Sequence, residues 1–78
     1  MKDKSDRQWV KATSVPVPGG RETSYTFSNG QRALVINIDE REDLTLIPLT
    51  KKGFMVIDDM FVGTIEDIRE ALNSLSNR

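Results

Sequence analysis

Hydrophobic and polar positions alternate most clearly on the two sides of Asn29-Gly30. Tyr25 and Phe27 lead into that pair, and Leu34, Ile36 and Ile38 follow it. Both flanks are rich in β-branched and aromatic residues, and Asn-Gly suits the positive φ angles of a two-residue type I′ turn. A two-residue loop would pair Ser28 with Gln31, Phe27 with Arg32, Tyr25 with Leu34 and Thr23 with Ile36. Tyr25, Phe27, Leu34, Ile36 and Ile38 would then share one face and seed the core.

A second hairpin is expected around Thr50-Lys51-Lys52-Gly53-Phe54, a three-residue loop with Gly53 in the left-handed position. It would pair Leu49 with Met55 and Ile47 with Ile57, leaving both of its faces apolar. Ile47, Leu49, Met55 and Ile57 make one face; Leu44, Leu46, Phe54 and Val56 make the other. Pro48 cannot donate to a ladder, so a bulge or an edge is expected there. Thr64 is a good N-cap, with Glu66 and Asp67 in the first turn, where the helix dipole favours negative charge. Ile65, Ile68, Leu72 and Leu75 recur at helical spacing with Ala71 beside them, which predicts an amphipathic helix over 64–75.

Upstream, Pro16 and Pro18 bias the residues before them away from helix, and Pro18-Gly19-Gly20 is a strong breaker. Residues 9–17 read as an arm or edge strand that lays Trp9, Val15 and Val17 on the sheet. Residues 1–8 are polar and charged and are expected to fray as a flexible N-terminus. The fold class is therefore α+β: an antiparallel meander of four strands, about 23–28, 32–38, 44–50 and 54–61, with the C-terminal helix on one face. The arm can add a fifth strand, and residues 9–78 form one small domain.

Composition narrows the chemistry. The 78 residues contain no cysteine and no histidine, which removes disulfides, thiol nucleophiles, His-dependent triads and the usual transition-metal ligand sets. No apolar run approaches the roughly 20 residues needed to span a bilayer, so a cytoplasmic setting is expected. The carboxylates Asp39, Glu40, Glu42 and Asp43 surround Arg41 without the glycine that a calcium loop needs, and they read as a solvated hairpin tip. Adjacent Asp58 and Asp59 would point to opposite sides of a strand and make no natural acid–base dyad. An enzyme, a metal and a cofactor are thus not expected.

Residues 1–32 carry a net charge of +3 and residues 39–70 one of −5. In architecture, residues 23–75 resemble the small sheet domains of the integrase arm-binding type, a resemblance that implies nucleic-acid binding through strands. The face opposite Tyr25 and Phe27 would carry Ser24, Thr26, Ala33, Val35 and Asn37, with no charge to meet a phosphate. The preferred expectation is a non-enzymatic protein-binding module or inhibitor, with another protein or a second copy as its partner. Bacterial or phage accessory proteins have this size and composition. One helix covers one sheet face, so Leu44, Leu46, Phe54 and Val56, with Trp9 nearby, are the expected contact residues. Lys51, Lys52, Asp39, Glu40, Glu42 and Asp43 would steer encounter. Nucleic acid, bound by the sheet face and the basic N-terminal arm, is the alternative; a membrane is not expected.

Overall fold

The computed structural model describes residues 9–78, with backbone alone for Trp9 and Val10. The expected frayed segment 1–8 lies outside the described residues. Five antiparallel strands follow one another in a single sheet of order β1-β2-β3-β4-β5. They are β1 (Trp9–Val17), β2 (Gly20–Phe27), β3 (Arg32–Ile38), β4 (Leu44–Leu49) and β5 (Phe61–Gly63); helix α1 (Ile65–Ser76) closes the chain. The α+β meander and its C-terminal helix stand as expected, and the N-terminal arm is a full edge strand. It widens the sheet beside β2 and does not cross a face.

The register of the first hairpin differs by one residue from the two-residue reading. Tyr25 pairs with Ala33 and Thr26 with Arg32, and the loop holds three residues, Ser28-Asn29-Gly30. Phe27 N–H donates to Gln31 O at 2.9 Å and Gly30 N–H to Phe27 O at 3.0 Å. Gly30 has φ +89°, while among the described residues no non-glycine has positive φ, so Asn29 is not in the conformation a type I′ turn requires. The Asn29 side chain explains the choice. Its Oδ1 accepts from Gln31 N–H at 2.9 Å, and its Nδ2 donates to Leu75 O at 2.7 Å. That bond adds a second donor to a carbonyl in the last turn of the helix, which Arg78 N–H reaches at 3.3 Å. Asn29 therefore does more than turn the chain.

A one-residue slip turns every β3 side chain to the opposite face. Ala33 and Val35, not Leu34 and Ile36, join Phe27 on the helix face, where Leu46, Ile68 and Leu75 complete the buried core. Tyr25, Leu44, Ala71 and Leu72 pack around it. Leu34 and Ile47 are buried too, but as cross-strand partners on the far face. The expected assignment of the second hairpin is reversed by the same step: Leu44 and Leu46 face the helix, and Ile47 does not.

The second turn forms as expected. Gly53 has φ +94°, Thr50 N–H donates to Phe54 O, and Leu49 bridges to Met55. Beyond that bridge the expected 54–61 strand breaks. Asp58 and Asp59 favour turns over strands, and Ile57–Asp59 forms a 3₁₀ turn before the chain rejoins β4 as β5. Ile47 consequently lacks the expected partner Ile57. Val56 N–H donates to Pro48 O at 2.8 Å, so Pro48 turns its backbone polar groups away from β3 and its missing N–H costs that ladder nothing.

Thr64 caps α1 in a reciprocal box: Asp67 N–H donates to Thr64 Oγ1 at 3.2 Å and Thr64 N–H to Asp67 Oδ2 at 3.1 Å. Thr64→Ala should cost about 1 kcal/mol, read as a melting temperature lowered by roughly 4–8 °C. An unchanged melting temperature would show that the cap carries no stability. Ile65 breaks the expected stripe. It stands at the first turn with its side chain exposed, leaving Ile68, Ala71, Leu72 and Leu75 to face the sheet.

Candidate functional site

The side chains expected to make a contact surface do not stay together. Leu46 is 2% exposed and Leu44 packs half-buried beside it, so both belong to the core. This overturns their place on a binding face; the register of β3 against β2 decided which side of the sheet they would take. Val56 is half-buried. The backbone of Trp9 pairs with Phe27 at the far edge of the sheet from β5, which separates it from the rest. Phe54 is the member that remains available, with 68% of its surface exposed.

Phe54 opens a run that sequence reasoning missed in part. Met55, Ile57, Met60, Phe61, Val62 and Ile65 are also exposed, so large apolar side chains recur from the Lys51-Lys52 turn to the start of α1. Two local causes put them outside. The 3₁₀ turn lifts Ile57–Asp59 away from the ladder, and β5 is an edge strand three residues long. Met60-Phe61-Val62, an apolar triplet separated from the Thr64 helix cap by Gly63 alone, was the available signal. It reads equally well as the end of a buried strand.

Beside this corner, Met60, Phe61 and Pro48 face Ala71 and Leu75 of the helix across a groove of about 360 Å³, with Asp59 and Arg78 at its lining. The groove is lined about equally by apolar and by polar surface. Its two opposite charges can orient an incoming backbone or polar group.

The expected steering residues lie in two exposed turns. Lys51 and Lys52 project from the second hairpin next to Phe54, and Arg32 Nη1 donates to Lys51 O at 3.3 Å. Asp39, Glu40 and Glu42 are exposed at the β3–β4 tip. There Arg41 makes a two-pronged pair with Asp43, Nε to Oδ1 at 2.9 Å and Nη2 to Oδ2 at 3.0 Å. Hydrogen bonding from Arg41 holds the Asp43 carboxyl below the usual carboxylate range; partial desolvation opposes this and the guanidinium charge assists it. The same bond raises Arg41 above its ordinary value. The acidic tip is thus partly neutralised from within.

Among the described residues no group of three or more carboxylates draws together to hold a metal. No described helix is long and apolar enough to cross a membrane. Compared with known proteins, the chain matches no family model, no curated relative and no solved structure.

Proposed function

We propose that the protein is a small non-enzymatic binding module that holds another protein at the apolar corner formed by residues 54–62, with Phe54 as the anchor. The observation that carries this reading is the 68% exposure of Phe54 within a run of exposed Met55, Ile57, Met60, Phe61 and Val62. Large apolar anchors in such patches carry most of the energy of protein association, and singly scattered ones need no explanation. The groove behind Met60 and Phe61 adds the concavity that a partner side chain needs. Lys51 and Lys52 flank the anchor and act on encounter. The absence of cysteine fits a reducing compartment such as the cytoplasm, and an accessory or inhibitory role in a bacterium or phage suits so small a module.

Phe54→Ser tests the reading directly. Stability should change by less than about 0.5 kcal/mol, as at other exposed positions, while a protein retained by the immobilised parent from a bacterial lysate is lost. Reversing Lys51 and Lys52 to Glu should change affinity at low salt and converge on the parent at high salt. A Phe54→Ser variant that melts well below the parent would assign Phe54 to the core. Retention on heparin without any captured protein would turn the reading toward nucleic acid, with Lys11 and Arg32 on the far face as its bases.

A further inference from the structure

The other end of the sheet carries a feature that the apolar corner does not use. Strand β1 is nine residues long, Trp9–Val17, and no strand among the described residues pairs with its outer side. Which of its backbone groups point outward follows from the ladder. Asp39 N–H donates to Gly19 O at 2.8 Å, which places the odd-numbered residues of β2 toward β3. Gly20, Glu22 and Ser24 therefore bond toward β1, to their partners Val17, Val15 and Thr13. Ala12, Ser14 and Pro16 are left with their backbone groups directed to the free edge. Pro16 offers a carbonyl and no N–H there.

We infer that this edge pairs with β1 of a second copy, antiparallel, about a two-fold axis at Thr13, so that two five-stranded sheets become one continuous sheet. Three features select that occupant and register. With the axis at Thr13, Ala12 faces Ser14 of the second copy, and each N–H meets the other's carbonyl on both sides of the axis. An axis at Ser14 would set Ala12 against Pro16, which has no donor. The Thr13 side chains meet their own copies on the far face, a favourable cross-strand pair. Charge complementarity is the third feature. Lys11 then lies opposite Val15 of the second copy, and that valine's neighbour on the same face is Glu22. The four-carbon stem of Lys11 can lie over Val15 and bring its ammonium to Glu22 across the axis. Within one copy the two charges are paired with other residues, Lys11 with Thr26 and Val15 with Glu22, four strand positions apart. The attraction therefore arises only on pairing. Edge β5, three residues long, offers no comparable template.

Sedimentation equilibrium on the full chain, from about 10 μM to about 1 mM, tests the inference. The parent should be a concentration-dependent dimer. Lys11→Glu and Glu22→Lys should each weaken it about tenfold, since each reversal acts at two symmetric contacts. The double reversal Lys11→Glu/Glu22→Lys should restore the parent affinity. Ser14→Pro, which removes an outward N–H and leaves the β2 ladder intact, should be a folded monomer. A parent that stays monomeric throughout overturns the inference. So does a dimer that ignores both charge reversals and Ser14→Pro. Because β1 and the 54–62 corner lie at opposite ends of the sheet, Phe54→Ser should leave this dimer unchanged, so failure of one proposal does not mimic failure of the other.

Discussion

Phe27→Ala is expected to bring the domain to the edge of unfolding. Phe27 is 2% exposed and stands where the first hairpin, the helix and β4 meet, in one cluster with Ala33, Val35, Leu46, Ile68 and Leu75. Removing a buried phenyl ring costs about 3–5 kcal/mol, part from transfer and part from the cavity left behind. A domain of this size holds roughly 4–12 kcal/mol in total, and no disulfide supplements it. Tyr25 cannot close the gap. Its ring lies nearly parallel to Phe27, 6° between planes, but 6.4 Å away between centroids. Urea unfolding should show a midpoint shifted strongly downward in Phe27→Ala, with Phe27→Leu much closer to the parent. A loss below about 1 kcal/mol would mean that the helix does not close over this residue.

The same cluster shows how far local pattern reaches. Thr64, Gly53, the helix and the pairing of Leu49 with Met55 were legible because each depends on residues within a few positions of one another. The register of β3 was not. Asn29-Gly30 is compatible with a two-residue and a three-residue loop, and the difference rests on a bond from Asn29 to Leu75 O, 46 residues away. The inverted faces of β3 and β4 follow from that step, including the assignment of Leu44 and Leu46 to a contact surface, whereas the loss of Ile57 from its face follows from the 3₁₀ turn. Asp58 and Asp59 fall inside the expected 54–61 strand, and their preference for turns is what breaks it. Phe54 is exposed as expected because it sits in a turn whose geometry its own neighbours determine, through Thr50 Oγ1 accepting from Phe54 N–H at 3.1 Å.

Gly20→Ala should be the more damaging of two substitutions at adjacent glycines, for a different physical reason than its neighbour. Val17-Pro18-Gly19-Gly20 turns β1 into β2 with two residues in the loop. Proline stands second, and glycine with φ +82° stands third, as a type II turn requires. At Gly19 the cost of a side chain is conformational. A Cβ there would meet nothing within 4 Å, so Gly19→Ala should lose only the left-handed penalty of about 1–2 kcal/mol, and Gly19→Asn less. Gly20 has no positive φ, and its cost is steric. An added Cβ would fall 1.9 Å from the Asn37 carbonyl oxygen and 3.0 Å from Ile38 Cα, both backbone atoms of the neighbouring strand. No rotamer change relieves that overlap. β2 and β3 must separate where the β1–β2 turn is anchored by Asp39 N–H donating to Gly19 O. The loss should reach about 3 kcal/mol or more, the upper range for overpacking. Thermal unfolding of the three variants side by side decides the matter: Gly20→Ala should melt lowest and Gly19→Asn highest. Equal melting temperatures for the two alanine variants would show that β2 and β3 do not approach each other closely at Gly20.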